Sequence, residues 1–267
     1  MKIRNDDAQI NVRVDGDGDE TIVLIHGFPL AHEIWDAQVA ALASAFRVVR
    51  PDLRGMGGSS VPDGPYLMET LAGDIAAVLD SLGVERATLV GHSLGGYVAL
   101  AFARMYLERI ARLALFASRI DADAPERAAW RRERADDLER TRENAGLVEE
   151  MLGASFAPGT RERAPELYAR TAELARRNDP RGLAAMLRGM ALRDSAEDIV
   201  PDLALPVLIL AGALDPSVPL ETARASAAAF PAARLALAPQ SGHLPMLEEP
   251  EVVTAELRRL MSERPAG

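Results

Sequence analysis

The stretch that most constrains this 267-residue chain is 87–106. The short run Ala87-Thr88-Leu89-Val90 leads into Gly91-His92-Ser93-Leu94-Gly95-Gly96, and Val98, Ala99, Leu100, Ala101 and Phe102 follow closely. The first run reads as a buried strand, the last as a helix that is apolar nearly all round. Neither can face water. The strand needs a sheet around it, and the helix needs that sheet to lie on. The junction between them matches G-x-S-x-G, in which a serine hydroxyl projects from a tight, strained strand-to-helix turn. Gly91 and Gly95 remove side chains where the turn crowds itself. The N-terminus of the new helix aims backbone N–H groups at the serine, where negative charge on a reacting oxygen would be stabilised.

The rest of the chain keeps this rhythm. Strand-like runs at 10–14, 21–25, 46–49, 112–117, 207–211 and 234–238 are interleaved with helical patterns at 34–44, 68–82, 220–230 and 249–261. The pattern predicts an α/β fold: a mostly parallel central sheet with helices on both faces. Asp15-Gly16-Asp17-Gly18-Asp19, between the first two runs, predicts a hairpin that adds antiparallel strands at one edge. A calcium loop starting at Asp15 would need Gly and Glu where Glu20 and His26 stand, so no metal site is expected there. Residues 119–200 contain no strand-like run and carry 15 Arg against 17 Asp plus Glu. Their helical periodicity breaks at Pro158-Gly159 and Asp179-Pro180. This segment reads as a helical cap, inserted into a core made of 1–118 and 201–267.

A serine nucleophile needs a base. Of the four histidines, His243 sits in Ser241-Gly242-His243-Leu244-Pro245, a turn-rich loop after the last strand, from which it can reach Ser93. His92 adjoins Ser93 but projects elsewhere, His26 orders the loop after its strand, and His32 is the rival base. The base needs an orienting acid. Asp215 follows the strand at 207–211 at its C-terminal end; Asp121, after the preceding strand, is the alternative. The order Ser93, Asp215, His243 is the chain order of one known triad arrangement. An oxyanion would be met by the N–H of Leu94 and that of Phe28, since Pro29 has none. Leu183, Met186, Leu187 and Met190 form an apolar stripe at helical spacing. The stripe predicts an apolar ceiling over Ser93, with Trp130, Met186 and Met190 as pocket residues and small, mainly apolar substrates.

These residues, together with His26-Gly27-Phe28-Pro29, Pro51-Asp52-Leu53-Arg54-Gly55-Met56-Gly57-Gly58-Ser59, Gly212-Ala213-Leu214-Asp215 and Gly242-His243, resemble the α/β-hydrolase superfamily. The resemblance covers the chain apart from the cap, which would follow the sixth strand in that fold's own count. It implies hydrolysis of a carboxylic ester or lactone with no metal and no organic cofactor. Its nearest flavour is the group of 3-oxoadipate enol-lactonases, small esterases and haloperoxidase-like perhydrolases. Members that open epoxides or remove halides use an aspartate where Ser93 stands. Carbon–carbon bond hydrolysis, perhydrolysis and slow ligand sensing on the same three residues stay open as alternatives.

Composition narrows the partners. The chain has no cysteine, which excludes a thiol nucleophile and thiolate metal sites. Its net charge of −10, with no basic block, disfavours nucleic acid and anionic membranes. No window reaches the ~18 apolar residues of a membrane span, and the N-terminus turns acidic at once, unlike a signal peptide. A cytoplasmic enzyme of small molecules is expected; the sequence leaves its oligomeric state and substrate identity open.

Overall fold

Side chains on a strand alternate between faces, and in this protein the alternation is apolar on both. On the third strand, Val23 and Ile25 enter one hydrophobic core while Ile22 and Leu24 enter a second. Leu113 and Leu115 likewise part from Ala114 and Phe116, and Ile209 from Leu208 and Leu210. A sheet with two dry faces must be covered by helices on both.

The computed structural model describes residues 1–264, and its elements follow this logic. Strands β1 (Lys2–Asn5), β2 (Ala8–Asp15) and β3 (Thr21–Ile25) lead to a short 3₁₀ turn, His32–Trp35, and helix α1 (Asp36–Leu42). Then come β4 (Arg47–Pro51), α2 (Met68–Ser81), β5 (Ala87–His92), α3 (Leu94–Met105) and β6 (Ile110–Phe116). Five helices follow without a strand: α4 (Pro125–Thr141), α5 (Ala145–Gly153), α6 (Thr160–Arg163), α7 (Pro165–Arg176) and α8 (Pro180–Met190). The chain ends with β7 (Val207–Gly212), α9 (Leu220–Ala229), β8 (Ala233–Ala238), α10 (Pro245–Glu248) and α11 (Pro250–Ser262). The eight strands form one sheet in the order β1-β2-β4-β3-β5-β6-β7-β8. All pairings are parallel except β1 with β2 and β2 with β4. Helices α2, α3 and α8 fill the core on one face; α11 and residues of α1, α5 and α7 fill the other. No described helix is long and apolar enough to cross a membrane.

One local expectation is corrected. The strands flanking Asp15–Asp19 do not form a hairpin, because β4 lies between them: Val49 is in register with Val14 on one side and Val23 on the other. The Gly16-Asp17-Gly18 segment instead crosses over, hard against the carbonyls of Ala43, Ala45 and Phe46. The true hairpin joins β1 to β2 through Asp6 and Asp7, with Asp6 in the left-handed region (φ 49°), a conformation that aspartate tolerates.

Parallel strands end on one edge of the sheet, and the loops that matter leave from there. That edge is tied together by Asp52, at the end of β4. Its carboxylate accepts from the backbone N–H of His32 (2.8 Å), His32 Nδ1 (2.9 Å), Asn11 Nδ2 (2.8 Å) and the N–H of Gly58 (2.8 Å). Burial alone would raise the pKa of this group. The His32 hydrogen bond, the charge of His26 and the Gly58 N–H outweigh burial and hold it well below the usual carboxylate range. With a folded value below the unfolded one, the unfolded chain binds the extra proton in acid. The stabilisation is therefore complete above about pH 4 and is lost as pH falls below it. Asp52→Asn should cost about 2–4 kcal/mol at neutral pH, because it leaves paired donors without an anion. It should also flatten the acid limb of the stability profile. Urea unfolding at pH 7 and pH 3.5 checks both; equal losses at the two pH values would contradict the assignment.

Candidate active site

Ser93 sits where β5 gives way to α3, at φ 50° and ψ −111°, a region that L-residues avoid. The turn is held by Ser93 N–H donating to Phe116 C=O (2.9 Å) and by Ser118 Oγ–H donating to Ser93 C=O (2.9 Å). A Cβ on Gly91 would lie 2.2 Å from the carbonyl oxygen of Gly95, so the turn closes only with glycine there. From this position Ser93 Oγ–H donates to His243 Nε2 (2.9 Å), and His243 Nδ1–H donates to Asp215 Oδ2 (2.7 Å). The other oxygen of Asp215 accepts from the N–H groups of Ser217 (2.7 Å) and Val218 (3.0 Å), which fixes the carboxylate plane.

The rival residues are engaged elsewhere. Asp121 forms a bidentate pair with Arg119. His32 is bound to Asp52. His26 accepts from the N–H of Leu53 at Nε2 (3.0 Å) and donates from Nδ1 to Gly27 C=O (3.0 Å), joining the loops after β3 and β4. Arg54, in the loop after β4, is committed to Asp74 through two 2.7 Å bonds. His92 turns away from the serine and donates from Nε2 to the carbonyl of His243 (2.8 Å). Burial, and next the neighbouring His243, keep His92 well below the ordinary histidine pKa, so it stays a neutral donor.

The His243 loop is thus gripped from two sides. His92 holds its carbonyl, and its N–H donates to the carbonyl of Ser155 (2.6 Å), which comes from the helical segment between β6 and β7. Glu248 locks the same junction. It accepts from Gly242 N–H (2.8 Å), Ala157 N–H (2.9 Å) and Thr160 Oγ1 (2.7 Å). Burial raises its pKa, against the pull of those three donors. No motif in the sequence announces Glu248 or Ser155; both matter only through a contact about ninety residues long in sequence.

A cavity of about 360 Å³ opens over Ser93 and His243. Phe28 lines it, and Leu94 begins the helix directly after the serine. Neither Phe28 N–H nor Leu94 N–H donates to a protein acceptor among the described residues. The expected pocket residues divide. Met190 is on the wall, but Met186 is fully buried in the core and Trp130 stands aside, its Nε1–H donating to Glu150 (3.2 Å). The apolar ceiling is therefore corrected. Leu183, Met186 and Leu187 of the stripe are spent on packing α8 against α4 and the core, and beside Met190 the wall holds Arg119, Asp123, Arg127 and Arg131. Arg127 and Arg131 both come from α4, and one of its four buried positions is Arg131. A larger cleft of about 460 Å³ lies between Ile34, Leu174 and Met246, but its walls carry no serine or histidine. The reactive geometry, not size, marks the site.

Glu248→Ala should lower stability by about 2–4 kcal/mol, because three donors lose a buried charged acceptor. Amide hydrogen exchange should speed up locally at Gly242 and His243. Unchanged exchange there would show that the loop is held without Glu248.

Comparison with known proteins identifies the fold family. Residues 20–250 match the model of the alpha/beta hydrolase fold family. A thermophilic esterase from Thermogutta terrifontis, solved with malate bound, superposes with a TM-score of 0.94 at 36% identity, covering 98% of this chain and 97% of that one. The enol-lactonase from Burkholderia xenovorans LB400 superposes with a TM-score of 0.91 at 28% identity, covering 98% and 100%. A pimeloyl-[acyl-carrier protein] methyl ester esterase of Vibrio atlanticus is 32% identical over 255 residues, 91% of this chain and 95% of the relative. The chain belongs to the alpha/beta hydrolase fold family, within which its relatives include ester and lactone hydrolases.

Proposed function

We propose that the protein is a serine hydrolase that cleaves a carboxylic ester or lactone of a small molecule through an acyl-enzyme. The observation that carries this reading is the unbroken line from Ser93 Oγ through His243 to the buried Asp215, ending in a cavity. Ser93 attacks the carbonyl carbon while His243 Nε2 takes its proton. Asp215 keeps the imidazole in the tautomer with Nδ1–H and stabilises the imidazolium as it forms. The N–H groups of Phe28 and Leu94 receive the tetrahedral oxyanion. His243 then protonates the leaving alkoxide, and later activates the water that releases the acid. No step asks for a metal or an organic cofactor. The segment 119–200 acts as a cap: it supplies cavity wall and, through Ser155, part of the grip on His243.

A fluorophosphonate probe should label the protein once, on Ser93, and Ser93→Ala should abolish labelling. Asp215→Asn should cut turnover of a short-chain aryl ester by roughly 10⁴, while Asp121→Asn should change it little. Label that maps to another residue, or the opposite ranking of the two aspartates, would sink the proposal.

Gly27 offers a second test. A Cβ there would lie 2.4 Å from His92 Nδ1, so alanine must displace either the His92 ring or the strand end that carries Phe28. Gly27→Ala should lose about 10²-fold or more in kcat, the usual cost of a misplaced oxyanion donor, with a smaller effect on KM. A variant that keeps its kcat would remove Phe28 from the oxyanion role.

A further inference from the structure

The wall of the Ser93 cavity carries more positive charge than its neighbours neutralise. Arg119 is matched by Asp121. Beyond that pair, Arg131 and Arg193 share a single carboxylate: Arg131 Nε donates to Asp123 Oδ2, and Arg193 Nη2 donates to Asp123 Oδ1 (3.0 Å). All three of these side chains are almost wholly buried. Arg127, one turn before Arg131 on α4, lines the same cavity and has no carboxylate partner among the described residues. Its guanidinium rests 4.4 Å above the Trp130 ring and is otherwise open to the cavity mouth. Of the two acids whose charge acts on Arg127, Asp123 is bonded to Arg131 and Arg193, and Glu150 faces Trp130 Nε1 and Arg134. Asp215 is occupied by His243 and two backbone amides. Desolvation, and then repulsion from Arg131, lower the pKa of Arg127 against the opposing pull of Asp123. On the cavity wall the guanidinium groups of Arg127 and Arg131 thus face one carboxylate, Asp123, which Arg193 also shares, so positive charge beside Ser93 stays uncompensated in a chain whose net charge is −10.

A chain so acidic repels anions at long range, so a local positive excess at the reactive cavity has a directional effect. It draws an anion to that place and orients it there. We propose that the substrate is itself an anion: an ester or lactone bearing a carboxylate a few bonds from the reactive carbonyl, with the guanidinium of Arg127 as the partner of that carboxylate. The planar, two-pronged donor face of arginine suits a carboxylate, and its charge persists at any physiological pH. Asp123 then serves a second purpose, fixing Arg131 and Arg193 while neutralising only one of their two charges. This inference rests on the ester or lactone hydrolase reading above and adds the charge of the substrate to it.

The test compares mono-aryl hemi-esters of glutaric and adipic acid with neutral aryl esters of the same chain length. In the wild type, kcat/KM should favour the hemi-esters by about tenfold or more, a typical gain for one charge-assisted pair. That preference should shrink as salt is raised, because Arg127 is exposed and screened. Arg127→Gln should reduce the hemi-ester to neutral-ester ratio by about tenfold, and Arg127→Glu should reverse the preference. Arg132→Gln, on the same helix but outside the cavity, should leave the ratio where it was. A wild-type ratio at or below one, or a ratio that Arg127→Gln does not move, overturns the proposal while leaving the hydrolase reading intact. Failure to turn over either substrate, with no fluorophosphonate label on Ser93, overturns the hydrolase reading and this inference with it.

Discussion

The strained backbone at Ser93 is the constraint on which the site depends. A non-glycine residue held in such a conformation costs on the order of 1–3 kcal/mol, and the surroundings must over-determine it. They do so with the apolar material on either side. Strand β5 is buried along its whole length, and α3 is buried at nearly every position. Burying one such large apolar side chain contributes roughly 1.5–3 kcal/mol, so a few of them outweigh the strain. The hydrogen bonds from Ser93 N–H to Phe116 and from Ser118 Oγ to Ser93 C=O then fix the turn to the neighbouring strand. The hydroxyl is presented because the chain cannot relax away from it.

The Ser93 hydroxyl meets His243 only if that residue is held in place too, and His243 sits in the loop between β8 and α10. The structure solves this by gripping the backbone of His243 rather than its ring. His92 holds the carbonyl, Ser155 holds the N–H, and Glu248 binds Gly242 to the segment around Ala157. The ring is left to bond Ser93 at Nε2 and Asp215 at Nδ1. His92 serves because burial keeps it neutral, so that it is a hydrogen-bond donor and not a competing charge. One carbonyl of the segment between β6 and β7 is part of the support of His243.

The electrostatics divide along the same line. At the sheet edge, the hydrogen-bonded Asp52 and the Arg54–Asp74 pair hold loops together. Over the cavity, the arginines of α4 exceed the acids around them. Both groups come from charged stretches of sequence, so their different roles follow from which faces the chain turns inward.

The sequence alone determined the sheet and its helices, the serine turn, and the chain order of Ser93, Asp215 and His243, because these depend on local signals: apolar runs of the right length, glycine at a crowded turn, and loop residues at strand ends. It misread the Asp15–Asp19 segment as a hairpin, since two adjacent strand patterns say nothing of a third strand that inserts between them. It gave the apolar stripe of α8 to the substrate, because a helical stripe shows only that one face must be dry and not what keeps it dry. Which acid partners which arginine, the grip on the His243 loop, and the exposure of Arg127 at the cavity were decided only by tertiary structure. They rest on distances of a few ångströms, several of them between groups far apart in the chain such as Arg193 and Asp123 or His243 and Ser155, that no local pattern encodes.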